Sequence, residues 1–204
     1  MQRPLCVRCG DSIHPDTANR NAGLCIPCTR GNQLSIEQRN ENHRKQREEE
    51  RAHLESPQYK YWSSLIGRVY GDQGGFGSLQ HGDRLYFLLN VLTGEVHNGG
   101  FDQFFSNSSG DRYAETVAAL SELGDQATLQ LLLEAKAALF AQEEVPANRV
   151  ARFDLMASSS KEHPRYESAW KTLDALDKRF YASSSNVDAA LDRVVKTYNL
   201  YSDA

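Results

Sequence analysis

EVHNGGFDQFFSNSSG, residues 95–110, is unlike the rest of the chain. Asn98, Gly99 and Gly100 can stop a helix, because Asn and Gly tolerate left-handed backbone. Phe101, Phe104 and Phe105 then put an aromatic face on a short second helix. Asp102 and Gln103 can cap that helix or bond the backbone groups freed at the break. Ser106, Asn107, Ser108, Ser109 and Gly110 are loop chemistry. The stretch therefore reads as a sharp corner between two helices, pinned by aromatics in the core.

Helical periodicity extends outward from this corner on both sides. Ser56-Pro57 is a cap followed by proline at the first helical position. Trp62, Leu65, Ile66 and Val69 recur at the spacing of one helix face, and Leu85, Leu88, Leu89, Leu92 and Val96 repeat it. Two more stripes follow: Tyr166, Ala169, Trp170, Leu173, Leu176 and Phe180, then Val187, Leu191, Val194, Tyr198 and Tyr201. Thr128–Phe140 is apolar almost all round and reads as a buried central helix. No strand-like alternation is present, so residues 56–204 are expected to form an all-α multi-helix bundle. Gly71–Gly77 has neither a preceding strand nor a Gly-Lys-Ser/Thr ending, and is read as a connector.

The run NGGFDQFFSNSSG resembles the signature of an all-helical bacterial family typified by the neisserial DNA-mimic protein. The stretches ALSELG and LDALDKRFY are similar to that domain's later helices. The likeness covers about residues 56–204. Its motif residues here are Asn98, Gly99, Gly100, Phe101, Gln103, Phe104, Phe105 and Asn107. The resemblance implies an acidic homodimer that occupies the DNA-binding surface of a transcription factor.

The amino end has a different chemistry. Cys6, Cys9, Cys25 and Cys28 are the chain's four cysteines. Two Cys-x2-Cys pairs separated by fifteen residues suit one tetrahedral Zn²⁺. Four thiolates close the coordination sphere, so the site is structural rather than catalytic. His14 lies within the loop, but the tetrahedron is already full. A segment as short as residues 1–33 cannot bury a sufficient core, and zinc would be its staple. Gly10 and Gly23 suit the knuckle turns of a short zinc ribbon. Residues 34–55 are almost wholly polar. Ser35 and Gln38 make a capping-box start. Glu41/Lys45, Arg44/Glu48, Lys45/Glu49 and Arg51/Glu55 fall at i,i+4. The segment reads as a charged linker helix.

Composition bounds the function. With 40% hydrophobic and 25% charged residues the chain reads as a soluble globular protein. No apolar run approaches membrane-spanning length, and Met1–Leu5 has no secretory h-region. A cytoplasmic site is expected, where thiols stay reduced. The formal charge of −4 becomes about −6 once four thiolates and one Zn²⁺ are counted. Direct nucleic-acid contact is disfavoured, and the alternative of contact through the ribbon rests on Arg3, Arg8, Arg20 and Arg30. Residues 56–204 hold 19 Asp and Glu against 14 Lys and Arg, a net −5. Asp154, Glu162, Asp174, Asp177 and Asp188 are the candidate partner-facing acids, with Glu143, Glu144 and Asp192 beside them. Arg149, Arg152, Lys161, Arg165, Lys171, Lys178 and Arg179 interleave with them and dilute the field.

Glu95, His97 and Asp102 could in principle do acid–base chemistry. On a helix, however, Glu95 and His97 do not share a face. No nucleophile elbow, HExxH or dinucleotide fingerprint is present. The expected molecule is a zinc-containing protein-binding module and not an enzyme. Its partner is a protein, and on the family likeness a DNA-binding one.

Overall fold

Helix is the only extended regular structure among the described residues of the computed structural model, which cover 3–31, 36–71, 74–157 and 164–202. The all-α expectation holds. The chain divides into two units, Met1–Tyr59 and Lys60–Ala204.

The first unit contains α1 (Pro15–Arg20), α2 (Ile26–Thr29), α3 (Ile36–Glu55) and the start of α4 (Pro57–Tyr70). An antiparallel bridge pairs Leu5 with Ser12. It brackets a turn in which the Gly10 N–H donates to the Cys6 carbonyl at 2.8 Å. Gly10 and Gly23 both adopt positive φ, 75° and 79°. The proposed cap Ser35 lies outside the described residues. Farther along α3, Glu41 accepts from Arg44 at 2.8 Å and lies 3.9 Å from Lys45. Arg39 binds both Asp11 carboxylate oxygens, at 2.6 and 2.7 Å, and donates to the Cys9 carbonyl. The charged helix is thus anchored to the cysteine-bearing segment at its first turns. Ser56 caps α4, its hydroxyl accepting from the Tyr59 N–H at 3.2 Å.

The second unit contains the rest of α4, then a 3-10 turn at Phe76–Ser78 and α5 (His81–Ser106). A second 3-10 turn, Ser108–Arg112, leads to α6 (Tyr113–Glu122), α7 (Gln126–Phe140), α8 (Arg149–Ala157) and α9 (Pro164–Tyr198). Helices α5 and α9 form the central pair, with α7 on α9 and α6 against α5 and α7. Their shared core includes Leu89, Leu92, Val96, Leu132, Leu176, Phe180 and Val187. The last two sequence stripes belong to one helix, α9, except Tyr201, which lies beyond its end and packs against the core. The Ser183 hydroxyl donates to the Arg179 carbonyl at 2.8 Å. That local bond lets a serine-rich stretch remain helical. α7 is less enclosed than its composition suggests. Leu131, Leu132, Ala135 and Phe140 are buried, but Leu133 is 38% exposed, because only one side of α7 has neighbours to pack on.

Where α4 meets α5, Asp83 is 6% exposed. Arg68 holds it at 2.6 Å, and the Tyr61 hydroxyl donates to its other oxygen. Burial pushes the Asp83 carboxyl up, but the Arg68 guanidinium and Tyr61 hydroxyl outweigh it and hold the group below the usual carboxylate range. A carboxyl depressed in the folded state stabilises above its unfolded value of about 4, and that contribution fades as pH falls through the folded value. Asp83→Asn is therefore expected to lower stability at neutral pH and to flatten the loss of stability below about pH 4. Denaturant unfolding across pH checks this; parallel curves for the two proteins would contradict it.

Candidate functional site

The four cysteines meet in the first unit. Cys6, Cys9, Cys25 and Cys28 are buried, and their sulfurs all lie within 4.8 Å of one another. Pro27, in the first turn of α2, suits a helix start and helps to place Cys28. The Cys25 sulfur accepts from the Cys28 N–H at 3.4 Å, and the Cys6 sulfur accepts from the Cys25 N–H at 3.3 Å. The Cys9 and Cys25 sulfurs are 3.7 Å apart. A tetrahedral ion with bonds of about 2.3 Å to sulfur requires sulfur–sulfur edges of about 3.8 Å. The donor set therefore fits a metal ion. Electrostatics point the same way. Burial raises the Cys6 thiol, but N–H groups of Cys25, Cys9 and Arg8 outweigh it and bring it down to about 6. Burial and the surrounding sulfurs push Cys28 well above the usual thiol range. Four thiolates cannot share this volume without a cation among them. His14 stands apart, its Nδ1 accepting from the Asp16 N–H at the start of α1.

In the second unit the corner lies inside α5. Gly99 and Gly100 leave helical geometry, and Gly100 has φ 75°. A Cβ on Gly100 would sit 2.2 Å from an Asp177 carboxylate oxygen. That oxygen pair has a task, because Asp177 accepts from the Phe101 N–H at 2.9 Å. It caps the restarted helix from α9, where a carboxylate also meets the helix dipole favourably. Phe101, Phe104 and Phe105 are all fully buried behind it. Tyr181 donates to the Val96 carbonyl, one of the acceptors the break leaves open.

Glu95 organises the polar side of the corner. Its carboxylate accepts from Gln103 at 2.6 Å, Asn107 at 2.9 Å and Ser109 at 3.2 Å. Asn98 in turn donates to Gln103. His97 faces elsewhere, bonding the Thr93 carbonyl and packing on Phe180 and Tyr181. Glu95 and His97 thus turn to different partners, and the acid–base set suggested by their proximity in sequence is not assembled.

Arg152 completes the corner from α8 and is absent from any reading of the sequence as a site. It is not one of the surface cations that dilute the acids, because it is fully buried. Its guanidinium donates to the carbonyls of Phe105, Asn107 and Pro146 at 2.7–2.8 Å and meets Asp111 at 2.6 Å. Arg149 adds a bond to the Ser106 carbonyl. A Cβ on Gly110 would lie 2.7 Å from the Arg152 Nε, so glycine there makes room for the clamp. Three backbone carbonyls, two at the corner and one just before α8, are thereby satisfied by one side chain.

The candidate partner-facing acids divide between places. Glu162 lies outside the described residues. Asp154 is exposed on α8. Asp174, Asp177, Asp188 and Asp192 follow one flank of α9, within an arc of about 60° at 100° per residue. Asp174 is tied to Lys178 at 2.6 Å. Asp188 and Asp192 are exposed and unpaired among the described residues. Burial raises the Asp102 carboxyl and Asp177 raises it further. Asp177 is itself raised, by burial and by Asp174 beside it, against the Phe101 N–H. Asp102 therefore feels Asp177, and Asp177 feels Asp174, where the corner meets α9.

The sequence model of the DMP19-like protein family matches residues 77–198, more than half of the chain. The match contains the whole corner and both central helices, and bears out the resemblance carried by residues 98–110. No curated protein and no solved structure matches the chain.

Proposed function

This chain belongs to the DMP19-like family, and from that membership we propose that it is a binding module that competes with DNA for the basic surface of a DNA-binding protein. The observation that carries this reading is the acidic flank of α9. From Asp174 to Asp192 it runs for about 27 Å, at 1.5 Å per residue. Duplex DNA presents phosphates along such a length on both strands, one per about 1.7 Å of axis. Asp188 and Asp192 are open to a partner, while Asp174 shares its charge with Lys178 and Asp177 caps the corner, so the docked patch is short. The elevation of Asp102 by Asp177, and of Asp177 by Asp174, supports the same reading. Carboxyls that repel one another gain when a guanidinium or ammonium arrives between them. A homodimer, as the family resemblance implies, would double the flank. In this reading the chain is not an enzyme, and it works in the cytoplasm.

The cysteine quartet holds one Zn²⁺ in this proposal. Zinc suits four sulfur donors in tetrahedral geometry and needs no open position for a structural role. The ion would fold the amino-terminal segment and present Val7 and Ile26, which are exposed at the tips of the two knuckles, to a protein partner.

The test uses a pool of proteins selected on DNA–cellulose and passed over the immobilised full chain. A member of the pool is expected to be retained at low salt and released near 0.5 M, where the screening length falls to about 4 Å. The variant D174N/D188N/D192N is expected to lose retention about tenfold or more. Retention that ignores both salt and these substitutions would sink the proposal.

A further inference from the structure

The second unit has a cleft that the acidic flank does not use. It measures about 400 Å³ and lies between the turn at Phe76–Ser78, the first turns of α5 and the outer face of α6. Its floor is apolar, with Leu85, Leu88 and Ala119 buried beneath it. Its rim carries two arginines that share one aromatic ring. The Arg112 guanidinium carbon stands 3.9 Å from the centre of Phe76, and that of Arg84 stands 5.8 Å from it. Two cations drawn to one ring repel each other. Glu115 and Glu122 also line the cleft, and Glu115 offsets Arg112 in part, whereas Arg84 meets no carboxylate among the described residues. Arg84 donates to the Gly77 carbonyl, while its Nε is buried without a partner. Arg112 reaches Glu115 only at 3.4 Å. Glu122 is already engaged by His81 at 2.7 Å.

We propose that this cleft binds a small amphipathic carboxylic acid. The carboxylate lies between Arg84 and Arg112, and a chain of a few carbons lies along Leu85, Leu88 and Ala119. A guanidinium is a planar fork that matches a carboxylate bidentately. A free inorganic anion would leave the apolar floor in water, and a neutral hydrocarbon would leave Arg84 without a carboxylate and its buried Nε without a partner. The ligand must therefore bring both parts.

Octanoate is the probe, titrated into the full chain and followed by methyl and amide NMR. Saturable shifts are expected at Leu85, Leu88, Ala118 and Ala119. Octan-1-ol, of equal length and no charge, is expected to bind at least about tenfold more weakly. R84Q is expected to weaken octanoate by about tenfold with an unchanged melting temperature, and R84K to recover part of the loss. Octanol binding as well as octanoate, or shifts that map outside the cleft, would overturn the proposal. So would an R84Q protein that folds and binds octanoate as the native chain does. If R84Q melts early, the octanoate–octanol comparison on the native chain decides alone.

Discussion

Replacing Arg152 by methionine is expected to destabilise the helical unit by about 3–5 kcal/mol, the usual cost of removing one side of a buried charged network. The side chain has no exposed surface, and three of its contacts are backbone carbonyls. That distinguishes it from a buried ion pair, which two apolar residues can replace with little loss. Carbonyls cannot be mutated away. Without the guanidinium, the Phe105, Asn107 and Pro146 oxygens lose their donor, and each unsatisfied buried group costs about 1–3 kcal/mol. Asp111 is 42% exposed and can turn to water, so its share is smaller. Arg152→Lys is expected to recover only part of the loss, because one ammonium cannot span sites arranged for a planar fork. Denaturant midpoints measure the effect. A loss under about 1 kcal/mol would show that the corner holds itself together through Glu95 and the phenylalanines alone.

The second large effect belongs to the cysteines. Cys28→Ser is expected to abolish tight metal binding and to unfold the segment around the quartet, and a strong chelator should do the same to the native chain. The other hydrophobic residues of that cluster are Ile13, Ala18 and Leu24, too few to hold some thirty residues once the sulfurs no longer converge. Elemental analysis of reduced protein should find one ion per chain in the native form and none in the variant. Dispersed amide resonances for Ile13 and Leu24 should collapse together. Native-like dispersion in metal-free protein would contradict the account.

The corner was legible because its determinants are local. A diglycine after asparagine, followed by phenylalanines at helical spacing, states the break and the burial within eight residues. The cysteine spacing is equally local. What could not be read has long-range partners. Asp177 looks like one more surface acid of α9, and only the fold brings it to the Phe101 N–H, 76 positions away. Glu95 invited an acid–base reading beside His97, whereas its hydrogen bonds run to Gln103, Asn107 and Ser109. Arg152 is the clearest failure of pattern. Helix α8 buries Arg152 and leaves Val150 and Phe153 largely exposed, the reverse of an amphipathic expectation. Three of the Arg152 partners are backbone carbonyls, which no sequence pattern marks, and its one carboxylate, Asp111, is brought to it only by the fold. The unusual density of arginine in NRVARFD was the one available hint.

Competition by duplex DNA tests the central claim most directly. A DNA-binding protein held by the immobilised chain should be released as duplex is added, with half-release set by that protein's own affinity for the duplex. Retention unchanged at saturating duplex would mean that the acidic flank of α9 and the DNA do not meet the same surface, and the reading of this protein as a competitor of DNA would be wrong.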